Sequence, residues 1–379
     1  MLDETKSTDE DDSLSLEGTD VDADNTTETP SSPVTGPVGV SVTGPNNGER
    51  EEYMRAIRHL DQLLAFNPSD PGTYFDKGFI LEIIEKFEDA IKCFDQALEI
   101  KPGDINVLNN KGSTFNKMGL YKEASNVYDE SLKIKPDDIT ALNNKGVALI
   151  NMNKIHEAID SYDKALSVKP NDITSLTNKG IALASLGRYD DAIYYYDMAL
   201  NVKPNDITAL TNKGVALSSL GRYDDAIYYY DSALSLDPNS ANLYFNKGLA
   251  LTHAGNHSEA IQCYDTAISI KNDYADAYYN KAVSLSELGR FEEAVRSYDQ
   301  VLYLSYDYVY AYYGKGYSLD CLERYEEAIQ CYDEAIRIEP EYLHAYYRKA
   351  EGLGKLGKAT EADKTFKRAK EIEAKESNR

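Results

Sequence analysis

The sequence predicts an all-α solenoid in which antiparallel helix pairs stack in tandem on one continuous core. Three observations carry this expectation. Proline returns at a fixed interval at Pro68, Pro102, Pro136, Pro170, Pro204 and Pro238, skips Asn272 and Tyr306, and returns in step at Pro340. A fixed period of that length marks units that pack only on their neighbours. When each unit is numbered from 1, position 8 is Gly or Ala and position 20 is Ala in all nine units between residues 71 and 376. Position 24 is always Phe or Tyr, from Phe94 to Phe366. Small residues let two helices approach closely, and an aromatic ring fills the space between them.

Residues 1–50 stand apart from the rest. They hold twelve acidic residues against Lys6 and Arg50, set among Ser, Thr, Pro and Gly. Such a segment cannot bury enough apolar surface to offset its ordering entropy, so it is expected to be disordered. A solubilising tail is one role for it; a regulatory segment folding back on a groove is another. Helical spacing begins at Glu51, where Tyr53, Ala56, Ile57, Leu60, Leu63 and Leu64 recur every three or four residues before Pro68. Residues 51–70 read as the second helix of a unit whose first helix is missing. Nine full units follow: 71–104, 105–138, 139–172, 173–206, 207–240, 241–274, 275–308, 309–342 and 343–376.

Within a unit, helices are expected over positions 2–14 and 17–31. Gly near position 15, as at Gly187 and Gly221, serves as a helix C-cap. Proline at position 32 ends the second helix. Units 173–206 and 207–240 are identical at 26 of 34 positions, which points to duplication of one unit. The last unit places Lys367 and Lys370 at positions 25 and 28. An end unit has no outer neighbour, so a polar face suits a cap.

Composition narrows the function classes. The net charge of −24 and pI near 4.6 disfavour nucleic acid and anionic membrane as partners. The start of the chain has no apolar stretch of a signal peptide, and no apolar run approaches a membrane span. Cys93, Cys263 and Cys331 share one repeat position and, with Cys321, read as reduced thiols. A cytoplasmic protein is expected.

These residues resemble the tetratricopeptide repeat signature over 51–376, with Tyr or Leu at position 4 where that family favours Trp. Asn-Lys-Gly at positions 6–8 and Tyr-Asp at 24–25 are similar to arrays common in archaea. The resemblance implies a right-handed superhelix whose first helices line a concave groove, chiefly through positions 2, 5, 6, 9, 12 and 13. The RNA-reading pentatricopeptide relatives have a period one residue longer.

Position 6 is Asn110, Asn144, Asn178, Asn212, Asn246 and Asn280 in six successive units. A row of amides can pair with the backbone of an extended peptide without reading its side chains. The alternative is that Asn is simply the family's usual residue there. Position 5 passes from Asn109, Asn143, Thr177 and Thr211 to Phe245, Tyr279, Tyr313 and Tyr347. With Tyr310 at position 2 and Tyr317 at position 9, these rings are candidate anchors for an apolar or aromatic segment. The alternative is that they pack on adjacent helices. The carboxylate clamp of chaperone-binding relatives has Lys at position 5 and Asn at position 9; neither occurs here, so capture of chaperone tails is not expected. Lys recurs at position 7 in all nine units and Asp at position 25 in eight, a pattern expected to form an ion-pair ladder between neighbouring helices.

Gly352–Gly357 fits a dinucleotide-loop pattern, but the register puts it at a helix–helix turn without the preceding strand that loop needs. His253 and His257 lack a third ligand, so no metal is expected. No cofactor and no catalysis are expected, because repeats fill the chain from 51 to 376. The function expected is a scaffold that holds an extended peptide segment of a partner protein. The alternative is a structural, self-associating protein that uses its ends or its convex face.

Overall fold

The computed structural model describes residues 47–376; most of the acidic N-terminal segment lies outside them. A lone helix, α1 (Asn47–Phe66), precedes the pairs. It takes in residues 47–50, which the sequence reading had left in the tail. The pairs follow: α2 (Pro71–Ile83) with α3 (Phe87–Ile100), α4 (Ile105–Lys117) with α5 (Tyr121–Ile134), α6 (Ile139–Asn151) with α7 (Ile155–Val168). Next come α8 (Ile173–Ala184) with α9 (Tyr189–Val202), α10 (Ile207–Ser219) with α11 (Tyr223–Leu236), and α12 (Ala241–His253) with α13 (His257–Ile270). The last are α14 (Ala275–Glu287) with α15 (Phe291–Leu304), α16 (Val309–Cys321) with α17 (Tyr325–Ile338), and α18 (Leu343–Lys355) with α19 (Ala359–Glu376).

Every helix packs on the next along the chain, and every first helix also touches the first helix of the following unit. No two second helices meet among the described residues. The second helices therefore splay and the first helices converge, which puts the first helices on the inner side of the curve.

The first helices begin one residue earlier than expected, at position 1. In five of them the residue before supplies a cap. Asp70, Asp104, Asp138, Asp172 and Asp206, all at position 34, are N-caps whose carboxylates accept backbone N–H bonds from the first turn. Position 15 has positive φ in all nine units. Six carry Gly there, where the missing Cβ removes the steric cost; Glu85, Asn153 and Glu323 adopt the same conformation with φ of 57–61°.

The ring at position 24 is the centre of each unit. Phe94, Tyr128, Tyr162, Tyr196, Tyr230, Tyr264 and Tyr332 are fully buried. Each lies so close over the position-8 glycine of its own unit that a Cβ there would overlap it, at 2.7 Å from Tyr230 Cε1 in the case of Gly214. Unit 275–308 differs. Its position 8 is Ala282, and the far end of Tyr298 lies instead against Gly314, at position 6 of the next unit.

The lysine–aspartate ladder is present in full. Lys77, Lys111, Lys145, Lys179, Lys213, Lys247, Lys281, Lys315 and Lys349 each pair with an aspartate of the preceding second helix, Asp61 through Asp333. Lys111–Asp95 and Lys247–Asp231 are each 2.6 Å. The aspartates are about half exposed, so each pair contributes ~0–1 kcal/mol. Their regularity sets the register between units more than it sets stability. Lys179 and Lys213 also donate to Tyr195 and Tyr229 hydroxyls at 2.8 and 2.7 Å. Burial is the largest single influence on the lysines of these pairs and pulls their pKa down, but the aspartate hydrogen bond and the neighbouring charges together outweigh it and leave Lys77, Lys179, Lys213, Lys247 and Lys315 above their ordinary value.

Candidate peptide-binding groove

The inner surface is built from one face of each first helix. Positions 2, 6, 9 and 13 are spaced by four, three and four residues and so lie in one row. Positions 2 and 13 are mostly exposed, and 6 and 9 are mostly partly covered between them. At the centre of the array the row is closed: Ile181, Asn212, Val215 and Asn246 are buried.

The six asparagines do not form a uniform set. Asn110, Asn212 and Asn280 each donate one amide N–H to the carbonyl four residues earlier in their own helix, at 2.8 Å. Each of these amides keeps one N–H and its oxygen for another partner. Asn144 is partly covered, and its backbone carbonyl accepts from the Asn116 amide of the preceding unit at 3.2 Å. Asn178 is partly covered. Asn246 is 3 % exposed, and neither its amide nitrogen nor its oxygen has a hydrogen-bond partner among the described residues. The row of asparagines ends where Gly314 makes room for the Tyr298 ring.

Position 5 lies beside this row, and its contacts are those of the packing alternative that the sequence reading kept open. It points into its own unit, toward positions 24 and 34. In units 105–138 and 139–172 the contact is polar. Asn109 donates to the Asp138 carboxylate at 2.7 Å and accepts from Ser131 at 2.9 Å, and Asn143 donates to Asp172 at 3.3 Å. In the second half the same contact is aromatic. Phe245 lies 4.9 Å from Tyr274, Tyr279 lies 5.2 Å from Tyr308, and Tyr313 lies 5.4 Å from Tyr342, between ring centroids. On the other side they meet the position-24 rings Tyr264, Tyr298 and Tyr332 at about 6 Å.

Positions 5 and 34 are thus both aromatic in units 241–274, 275–308 and 309–342, whereas the first unit keeps Asp104 at position 34 beside Phe75 at position 5. The helices that follow the three tyrosines lose the side-chain N-cap that aspartate supplies upstream. Phe245, at 2 % exposure, presents no surface to a ligand. Tyr279 and Tyr313 are partly covered, and burial pushes the Tyr279 hydroxyl pKa up to about 12. Tyr347 is held at the end of the array by Phe366, with ring centroids 5.6 Å apart, and by its hydroxyl donating to Glu373 at 3.0 Å.

Tyr310 and Tyr317 do lie on the inner row. Tyr310 meets the Tyr342 ring edge-on at 6.0 Å. The Arg348 guanidinium sits 5.0 Å over the Tyr317 ring and pairs with Glu351 at 3.3 Å. Next to them is Asp320, a residue the sequence did not single out. It accepts a hydrogen bond from the Tyr332 hydroxyl, and burial pushes its carboxyl pKa up. Equivalent positions pair with serines in the two preceding units, Thr252 with Ser284 and Ser286 with Ser318, both at 3.1 Å. The matching residue beyond Asp320 is Gly352, which offers no hydroxyl.

His253 stacks on Tyr223 with 5.6 Å between centroids, and burial pulls its pKa down. All four cysteines are free thiols, and burial pushes Cys331 up to about 11. No helix among the described residues is long and apolar enough to cross a membrane.

No curated protein matches the sequence. Among solved structures, the chain is similar to the Cut9–Hcn1 hetero-tetramer of the APC/C at 18 % identity and TM-score 0.53, covering 80 % of this chain and 60 % of that one. It is similar to a tetratricopeptide repeat protein from Parabacteroides merdae at 17 % identity and TM-score 0.52, covering 66 % and 98 %. It is also similar to PilW, a type IV pilus biogenesis factor, at 20 % identity and TM-score 0.51, covering 55 % and 96 %. The chain thus spans about 60 % of the Cut9–Hcn1 chain it matches. These likenesses show the fold, a right-handed superhelix of antiparallel helix pairs. Tetratricopeptide repeat models match 139–172, 173–206, 207–240 and 309–342, and again 71–104, 105–138, 275–308 and 343–376. Two more, at 229–262 and 248–289, bridge the remaining unit. Helix pairs stack in tandem and tetratricopeptide repeat models match across residues 71–376: the chain belongs to the tetratricopeptide repeat family.

Proposed function

We propose that this chain is a protein–protein interaction scaffold that holds an extended segment of a partner along the inner row of its first helices. The observation that carries the reading is the row itself. Positions 2, 6, 9 and 13 recur on each of nine converging helices, so one face presents the same geometry many times over. An extended peptide repeats its backbone groups in the same one-dimensional way. Tyr310 and Tyr317 offer apolar surface at one end of the row, and the free groups of Asn110, Asn144, Asn178 and Asn280 offer hydrogen bonds along it. The Cut9–Hcn1 structure is itself a complex of two proteins, which fits a binding role for this fold.

The test is affinity capture followed by titration. The intact chain and a Thr140→Arg/Thr174→Arg variant, which fills two exposed inner positions, are used as bait, and captured partners are titrated against both. Loss of binding by about tenfold or more in the variant supports the groove. Equal binding to both would move the interface to the outer helices and defeat the proposal.

A further inference from the structure

Five consecutive first helices, α4, α6, α8, α10 and α12, contain no acidic residue, in a chain that carries 64. Their partners α5, α7, α9, α11 and α13 contain fourteen acidic residues and three basic ones. The lysines of the first helices do not make the inner row basic. Each position-7 lysine is held by an aspartate of the preceding unit, and Lys117 pairs with Glu82 at 2.9 Å. At positions 2, 6, 9 and 13 of these five units, fourteen of the twenty side chains are Asn, Thr or Ser and four are aliphatic; the others are Lys117 and His253.

Charge has been sorted to the outside. An acidic segment entering the groove meets a strongly anionic protein and no counter-charge. A basic segment finds its carboxylates on the outer helices. A charged side chain laid along the inner row would lose water and gain no partner.

Asn246 adds an independent sign. Its buried amide has a donor and an acceptor both unpaired, at the centre of the row. One peptide unit supplies the matching acceptor and donor.

Resting on the groove reading above, we propose that the groove takes a segment of a partner protein that is free of Asp, Glu, Lys and Arg over roughly 12 residues, the extended length that spans five helices packed about 8–10 Å apart. The segment's backbone serves the asparagine amides, Asn246 included once the central closure opens. Its small polar and aliphatic side chains face the Thr, Ser, Val and Leu of the row.

The experiment selects random peptides of that length, displayed on phage, against the full chain, then measures the winners by fluorescence anisotropy at low and high salt. The expected winners are depleted in charged residues relative to the library. Their affinity changes less than about twofold with salt and falls about tenfold or more on Thr140→Arg/Thr174→Arg. Winners that lose binding on that variant but are as charged as the library overturn this inference and leave the groove standing. Winners indifferent to the variant, or no winners at all, overturn both.

Residues 29–48 of this chain are themselves uncharged. If Val38→Asp/Val42→Asp in the full chain tightens peptide binding about tenfold, the chain's own stretch fills the groove and the partner reading fails.

Discussion

Gly314→Asn would extend the asparagine row by one unit, and it should destabilise the array. A Cβ at 314 would lie 2.5 Å from both Cζ and the hydroxyl oxygen of Tyr298, a ring only 3 % exposed. Overpacking of this kind costs about 1–3 kcal/mol. Replacing a helical glycine by asparagine returns about 0.3 kcal/mol, leaving a net cost of roughly 1–2.5 kcal/mol. Ala282→Gly alone should cost about 2 kcal/mol, from helix propensity and one lost methyl. In seven other units the position-24 ring sits over a glycine at position 8. Ala282→Gly recreates that seat, so in the double variant the Tyr298 ring can swing back and free the space at 314. The double variant should therefore lose only about 1–2 kcal/mol, where independent costs would sum to roughly 3–4.5 kcal/mol. Hydrogen exchange of the α15 and α16 amides is the assay, since a long repeat array need not unfold in one step. Additivity within about 0.5 kcal/mol would refute the exchange of space between positions 8 and 6.

Gly214→Ala sets a methyl against buried Tyr230 at an overpacking cost of about 1–3 kcal/mol and regains about 1 kcal/mol of helix propensity, so a net loss of up to about 2 kcal/mol is expected in urea unfolding. Asp138→Ala removes an N-cap and strands the Asn109 amide, so a loss of about 2–4 kcal/mol is expected by the same measurement. Glu323→Gly should stabilise unit 309–342 by up to about 1 kcal/mol, because the residue sits at φ 57°; a lower melting temperature would count against it. Five of the ladder lysines, Lys77, Lys179, Lys213, Lys247 and Lys315, have raised folded pKa values. Their stabilisation is complete below the unfolded value of about 10.5 and is lost as pH rises through the folded values. Melting curves should therefore hold through neutral pH and fall in strong alkali; a Lys213→Met variant should show a smaller alkaline fall.

The helix pairs and the ladder were legible because they repeat. Ala90 through Ala362 and Lys77 through Lys349 recur once in every unit, and only their register was needed to place them. The start of the first five of these helices was missed by one residue because the aspartate at position 34 belongs to one unit by counting and to the next by capping. The sequence left the position-5 rings open between groove and packing for a related reason. Tyr279 looks like a free anchor until Tyr308, at the far end of the same unit, is found 5.2 Å away. In units 241–274, 275–308 and 309–342 positions 5 and 34 are aromatic together, a pairing visible in the letters but without meaning until the two are known to touch. The asparagine row was legible as residues but not as available groups. Hydrogen bonds to Asn106, Thr208 and Asp276 carbonyls, and the closure around Asn246, follow from backbone positions that no pattern displays.

The lysine–aspartate ladder also bears on how such a chain changes length. Each clasp joins the end of one unit to the start of the next with the same two residue types, from Asp61–Lys77 to Asp333–Lys349. Any unit's trailing aspartate can therefore accept any other unit's leading lysine. Copying or excising one whole unit leaves every remaining clasp intact, and the near-identical blocks 173–206 and 207–240 are joined by such a clasp, Asp197–Lys213. Reach can thus be lengthened or shortened by whole units without redesigning a single junction, and the number of inner helices becomes a quantity that selection can adjust as freely as a side chain.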